Sequence, residues 1–397
     1  MGLCLFIVLL TYRSFETHYV FYLSWISGLM ATGLFVCVTL YRGKLTRSLI
    51  KSLSLVIAWV ILCILLSVFA YDRSEHMKIL YISSFYMTVS IFISEVIIKS
   101  RVNMTKYSVQ MLFLWCFVNL VLLILFFLGI YKPMKGDFSG VFHDRNVFSI
   151  TTCLVMAFSI AQMHINPKKL YKMVIYFGLI SCAVMILISK SITGLLGLLV
   201  LCLFLLIKLP FRQRCIICIT LVITLIILLL IDNPISARID RFFMAISGNI
   251  DSLRVSESAY LRVYIFQHGF DLFSQHKWVG VGLNNAKNFV IWPNRGVGTF
   301  LHNTYLDILT SGGIPLFIVY YFPIIYSLIW LLKNKKKVLM LSDDNYYLWK
   351  LASVLLTLKL VYDLTWTSYF EFFMVFTVMF SIYIVFHLKT LIRKKIA

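Results

Sequence analysis

Acidic residues are scarce in this chain, and so is charge of any kind. Asp and Glu number 16 among 397 residues, against 37 Lys and Arg, and all charged residues together reach only 13%. Soluble domains carry about 25% charged and roughly 45–50% apolar residues. Here 61% are hydrophobic and the mean hydropathy is +0.90. That shortage excludes a soluble globular domain and makes lipid the solvent of most side chains. The scarcity of acids also leaves no Asp-x-Asp pattern in a polar loop, so no metal-ligating residues are expected, nor any cofactor. Long polar stretches are nearly lacking as well. The one exception runs from Asp232 to Pro315, centred on Phe300-Leu301-His302-Asn303-Thr304-Tyr305.

Three further absences narrow the reading. None of the nine cysteines falls in a loop on the side opposite the basic loops, so a disulfide framework is not expected. Cys215-Ile-Ile-Cys218 has redox-motif spacing but opens an apolar segment, without a βαβ setting, and reads as buried thiols. No 20–50-residue repeat and no paired, Gly/Pro-broken helices stand in corresponding halves, as a transporter of inverted repeats would have. The opening Gly2–Leu10 run lacks a basic n-region and a small-residue cleavage site, which speaks against a signal peptide.

What is present is apolar sequence in lengths suited to about 30 Å of hydrocarbon. The runs are Tyr19–Tyr41, Ser52–Ala70, Ile79–Ile98, Val109–Ile130, Val147–Met163, Met173–Ser189, Ile192–Ile207, Cys215–Ile231, Pro315–Leu332, Tyr346–Leu364 and Phe370–Phe386. With Gly2–Leu10 as a short first helix, the expectation is an all-α integral membrane protein of about twelve transmembrane helices. Residues 1–231 would hold helices one to nine. Residues 232–314 would form a large extracytoplasmic loop between the ninth and tenth helices. Residues 315–397 would hold helices ten to twelve and a basic cytoplasmic tail.

Basic residues set the orientation. Arg42–Lys51, Lys99–Lys106, Lys168–Lys172, Lys208–Arg214, Lys333–Lys337 and Lys389–Lys395 are all rich in Lys and Arg and alternate with poorer or balanced loops. By the positive-inside rule they and both termini face the cytoplasm. The net charge of +21 is therefore spread over topological anchors, and no nucleic-acid partner is expected.

Within the long loop, Ser258–Ser274 reads as a helix whose Gln267, Asp271 and Ser274 share a polar side. Arg262 falls opposite, beside Ile265, Phe266, Gly269 and Phe273. A guanidinium there needs a partner: either an acid such as Glu257 or Asp271, or a phosphate or pyrophosphate, which Arg's fork fits. Trp278-Val279-Gly280-Val281-Gly282 marks a tight turn with close backbone approach rather than a dinucleotide site. Asn303–Ser311 is helical in pattern, ended by Gly312-Gly313, and Pro315 opens a new helix. His302 then heads a short interfacial helix. It is either a capping residue or a neutral base beside an anion site, since a helix N-terminus disfavours imidazolium and attracts anions.

Other polar residues on the same side are Arg145 at the start of a span after Phe138–Asp144, and Lys190 in the tight turn Ser189–Gly194. Lys359 and Asp363 stand one turn apart in a spanning segment and can pair. The pair is either a structural brace or a means by which Asp363 orients His302 or a substrate hydroxyl.

With these features the chain resembles the O-antigen polymerase and O-antigen ligase superfamily. The resemblance rests on about twelve spans with one large loop before the tenth, and on His302-Asn303 followed by nine residues and then Gly313. It rests also on the Arg262-led helix ending in Trp278–Gly282, on Gly140-Val141-Phe142 with Asn146, and on the Ser189–Gly194 turn. It covers about Gly140 to Phe317. The family often has Gly, Thr or Val where this chain has Phe317, and commonly Arg where it has Lys190.

The resemblance implies a metal-independent, inverting glycosyl transfer on the outer face of the bacterial plasma membrane. The donor would be an oligosaccharide on undecaprenyl pyrophosphate. Arg262 would hold the pyrophosphate with Arg145 and Lys190, His302 would serve as general base, and Asn303, Asp363 and Gly313 would support them. It points to a polymerase of O-antigen or capsular repeat units, with a ligase acting on lipid A-core as the alternative. A chain-length regulator and a flippase of the same pathway are the candidate partners. A carrier of lipid-linked sugars is the reading from another class, disfavoured because the polar groups gather at one face.

Overall fold

A computed structural model describes residues 46–99, 104–133, 137–142, 144–163, 169–206, 258–292 and 296–396, together with Arg212, Cys215, Ile216, Ile219 and Met244. The expected spans Gly2–Leu10 and Tyr19–Tyr41, most of Cys215–Ile231, the loop residues 232–257 except Met244, and His143 lie outside them.

The described residues form helices and connecting turns, with no strand beyond a single bridge between Ile291 and Gly298. In chain order the helices are α1 (Arg47–Leu66), α2 (Arg73–Lys99), α3 (Met104–Phe127), α4 (Arg145–Gln162), α5 (Lys169–Ile188) and α6 (Ile192–Leu206). There follow α7 (Ser258–Gln275), α8 (Thr304–Leu339), α9 (Asp343–Tyr362) and α10 (Phe372–Ile396). Their starts are chemically marked. Thr46 caps α1 by accepting from Leu49 N at 3.2 Å, and Ser342 caps α9 by accepting from Asn345 N at 3.2 Å.

Six helices are long and apolar enough to cross a membrane: Arg47–Phe69, Arg73–Lys99, Lys106–Phe127, Lys169–Ile188, Thr304–Leu339 and Phe372–Lys395. On α1, Leu49, Val56, Trp59, Cys63 and Leu66 are buried, while Ile50, Ile57, Ile61 and Leu65 on the other face are exposed. A helix apolar on both faces packs inward on one and meets lipid on the other. The same holds for α3 and α5, with Phe113, Phe117, Met173 and Phe177 turned outward.

The expected spans at Val147–Met163 and Tyr346–Leu364 do form helices, α4 and α9, but these are not among the six. They are the inner helices. α4 is buried from Phe148 to Ala157 and from Ser159 to Gln162, and α9 packs against α4, α6, α8 and α10. Shielded by neighbours, they carry polar side chains that would be costly against lipid: Gln162 on α4, Lys350 and Lys359 on α9. α6 is a shorter apolar helix. Among the described residues six spans are therefore shown by length and composition.

α8 is two helices. Gly312 (φ −146°, ψ 18°) and Gly313 (φ 67°, ψ −165°) break it, and Pro315 follows in the first turn of the second half. This is the break expected from Gly312-Gly313 and Pro315. The backbone groups freed by it, two carbonyls and one N–H, are not left bare. Val281 N donates to Thr310 O at 2.8 Å, Gly282 N to Ser311 O at 2.9 Å, and Ile314 N to Lys277 O at 2.9 Å. A Cβ on Gly280 would stand 2.4 Å from Gly312 N, and one on Gly313 would stand 2.5 Å from Lys277 O. The Gly280–Gly282 turn is the close backbone approach that its glycines suggest, and what it approaches is the break in α8.

Candidate functional site

α4, α6, α8 and α9 bring polar residues to one end of the bundle. Gly194 on α6 lies against Ser149 of α4, and Gly197 against Tyr362 at the end of α9 and Cys153. Thr304 N, at the start of α8, donates to Asp363 O at 2.8 Å. The starts of α4, α6 and α8 and the end of α9 thus share a level, within about two helical turns or ~10 Å of one another.

Asp144 caps α4, accepting from Asn146 N at 2.7 Å and Val147 N at 3.4 Å, which fixes Arg145 at the first helical position. The Ser189–Gly194 turn is tight as expected, with Lys190 at φ 53°. It is tied to α4 by Ser149 Oγ to Ser189 Oγ at 2.9 Å and by Ser191 Oγ donating to Asn146 Oδ1 at 2.8 Å. Those bonds place Lys190 beside Arg145, and both reach the same carboxylate. Arg145 forms an ion pair with Asp137, and Lys190 Nζ lies 3.3 Å from Asp137 Oδ1.

Arg262, on α7, joins them. Its pKa is pushed below the usual guanidinium value first by burial and then by the positive charge of Arg145, with Asp144 opposing. Arg262 makes no ion pair with Asp271, which is exposed; Glu257 lies outside the described residues. Arg145 and Lys190 thus share the Asp137 carboxylate, and Arg262 on α7 stands within electrostatic reach of Arg145 and Asp144. α7 extends over Ser258–Gln275, close to expectation, but its buried stripe is Leu261, Ile265, Gly269 and Leu272, with Phe266 exposed. What approaches Gly269 is protein: a Cβ there would meet Leu306 at 2.8 Å and Leu301 at 3.0 Å. α7 thus rests on the start of α8, with Arg262 two turns, or ~10 Å, along its axis from that contact.

His302 precedes the helix and does not cap it. Asn303 is the cap, accepting from Leu306 N at 3.0 Å. His302 itself holds a left-handed φ of 50°, a conformation uncommon outside glycine, though histidine is among the residues enriched there. The segment that holds it is clamped to residues 363–368. Thr304 Oγ1 donates to Trp366 O at 2.5 Å and accepts from Ser368 N at 3.1 Å. Asn303 Nδ2 reaches Leu364 O at 3.4 Å, and the rings of His302 and Trp366 lie 6.2 Å apart at 57°.

The Asp363 carboxylate faces inward and is fully buried. It pairs with Lys359, accepts from Tyr321 Oη at 3.0 Å and accepts from Ser368 Oγ at 2.6 Å. Its side chain bonds those three groups, and its main-chain carbonyl is what meets the His302 segment. Asp137, Thr304 and Trp366 were missed from sequence. Asp137 lies just before the Phe138–Asp144 stretch with no motif of its own, and Thr304 and Trp366 carry no sequence signal apart from flanking noted residues. A further missed residue is His76. Its Nδ1 accepts from Leu283 N and its Nε2 donates to Cys63 O, each at 2.9 Å, which fastens the glycine turn to α1 and α2. Among the described residues no group of His, Cys, Asp and Glu could hold a metal ion.

Six membrane-length helices packed around two more polar ones, with cations gathered at one end, define a polytopic α-helical integral membrane protein. Residues 177–321 match the family model described as O-antigen ligase. That match bears out the resemblance to the O-antigen polymerase and ligase superfamily and points to polysaccharide assembly. The matched stretch runs from α5 into the second half of α8, so it includes Lys190, Arg262, His302, Asn303 and Gly313 but not Arg145 or Asp363. No curated protein matches the chain.

Proposed function

We propose that the protein is a metal-independent, inverting glycosyltransferase that joins oligosaccharide repeat units carried on undecaprenyl pyrophosphate into O-antigen or capsular polysaccharide. The reaction takes place on the outer face of the bacterial inner membrane, with both termini cytoplasmic and about twelve spans. The observation that carries this reading is the convergence of Arg262, Arg145 and Lys190, from three separate parts of the chain, at one end of the bundle.

A pyrophosphate brings several negative charges to the membrane surface, and three cations with two donor forks meet its geometry. Asp137 and Asp144 hold those cations together when no anion is bound. His302 takes the proton from the acceptor hydroxyl as that oxygen attacks the anomeric carbon. The anomeric carbon–oxygen bond breaks, and undecaprenyl pyrophosphate leaves with its negative charge stabilised by the cations. The leaving group is already activated, so no metal ion is called for. A chain-length regulator and a flippase of the same pathway are the proposed partners.

A ligase acting on lipid A-core is the second reading, favoured by the description of the matched family. Glycolipid banding in a deletion strain separates the two. A polymerase predicts lipid A-core bearing a single repeat unit. Unattached, lipid-linked polymer would indicate the ligase, and repeat units trapped on the cytoplasmic side would overturn both.

A further inference from the structure

Among the described residues, Trp366 differs from the three buried tryptophans. Trp59, Trp115 and Trp349 are buried, and each indole N–H donates to a protein acceptor: Ser83 Oγ at 3.3 Å, Thr152 Oγ1 at 3.2 Å and Leu331 O at 2.7 Å. That is the usual arrangement for a packed indole. Trp366 is only partly buried, and among the described residues its indole N–H donates to no protein group. Its main chain, in contrast, is held rigidly, because Thr304 Oγ1 donates to Trp366 O and accepts from Ser368 N. The same threonine is two residues from His302. The clamp therefore sets where the Trp366 main chain lies relative to the histidine.

We propose that the exposed face of Trp366 is the platform for the acceptor sugar, stacking against the C–H face of a pyranose ring and presenting one of its hydroxyls to His302. This rests on the transferase reading given above and names the acceptor subsite within it. A pyranose has one apolar face of axial C–H groups and an equatorial rim of hydroxyls. Stacking leaves the rim free to meet hydrogen-bonding groups at the ring edge, which here are His302 and the indole N–H. The 6.2 Å between the two rings is comparable to the width of one pyranose, so a sugar lying on the indole reaches the imidazole with its edge. Phe300, 43% exposed and packed on Phe370 at 6.1 Å, extends the aromatic surface for a second sugar of the acceptor.

A tryptophan near a membrane surface can also serve only as an interfacial anchor, and the test separates the two roles. The probe is the water-soluble repeat-unit oligosaccharide, released by mild acid from the lipid-linked units that accumulate in cells carrying His302→Ala. Its binding to the full-length protein in detergent is measured by saturation-transfer NMR, and its competition with transfer is measured in parallel. The wild type is expected to bind it, Trp366→Ala to bind at least tenfold more weakly, and Trp366→Phe to stay within about threefold of wild type, since a stacking face remains. Thermal unfolding of each variant guards against misfolding, and the Phe variant stands if the Ala variant does not fold. Equal binding by wild type and Trp366→Ala overturns the platform while leaving the transferase intact, provided the wild type still extends lipid-linked units. Failure of the wild type to extend them overturns the transferase reading itself.

Discussion

Arg262 lies in the electrostatic field of Arg145, although the two stand on helices 117 residues apart in sequence. Burial lowers the pKa of Arg262 and the neighbouring guanidinium lowers it further. Two like charges brought together in a partly desolvated place cost free energy that folding alone does not return. An anion between them turns that cost into binding. Arg262→Ala is therefore expected to abolish polymer in cells while the protein stays at its normal level in the membrane. Arg262→Lys should restore little, because a point charge does not replace a bidentate fork. Glycolipid gels and immunoblots of membranes check both. Chains of normal length distribution in the Ala variant would remove Arg262 from the site.

Asp137 occupies the place between Arg145 and Lys190 that an anion would take. Asp137→Asn should lower the concentration of inorganic pyrophosphate that half-inhibits transfer. Partly exposed ion pairs are worth roughly 0.2–1 kcal/mol, so the change should be between about 1.4-fold and fivefold. Weaker inhibition would mean that Asp137 organises the cations more than it competes for them.

Gly313 and Gly129 both have positive φ, 67° and 73°, but differ in their surroundings. A Cβ on Gly313 would meet the backbone of Lys277 and Trp278 at 2.5 Å, whereas one on Gly129 meets nothing within 4 Å. Gly129→Ala should cost only the left-handed penalty of about 1–2 kcal/mol. Gly313→Ala should cost clearly more, because the glycine turn must separate from the break in α8. Thermal unfolding in detergent measures the difference.

Lys359 and Asp363 are both fully buried and paired. Removing one partner leaves a charge without its counterion, at a cost of roughly 3–5 kcal/mol. Lys359→Met is expected to deplete the protein from membranes rather than to leave an inactive protein at full level. Lys359→Met with Asp363→Asn should recover part of that level. Immunoblots against a polymer assay distinguish a brace from a catalytic pair.

Much of this arrangement was legible in the sequence, for identifiable reasons. Gly312-Gly313 and Pro315 dictate a helix break almost by backbone chemistry alone, and the break is there. α7 was readable from its periodicity, and the Ser189–Gly194 turn from its shortness. The inner helices α4 and α9 were read as ordinary apolar spans, because a hydrophobic run does not reveal whether its neighbours are lipid or protein. Their polar residues record that difference only once the packing is known. Asn303, not His302, caps α8, since the choice depends on one backbone torsion that no pattern fixes. The shared carboxylate of Asp137 and the clamp made by Thr304 depend on contacts between segments far apart in the chain, which a single sequence does not specify.

The central claim is that His302 and the cations around Arg262 perform glycosyl transfer without a metal ion. It is tested most directly with purified protein in lipid nanodiscs, given undecaprenyl-pyrophosphate-linked repeat units in the presence of a chelator. Wild-type protein should build a ladder of lengthening chains and release undecaprenyl pyrophosphate, and His302→Ala, equally folded, should do neither. Equal chain growth by His302→Ala, or a wild-type reaction that stops when metal is chelated, would contradict it.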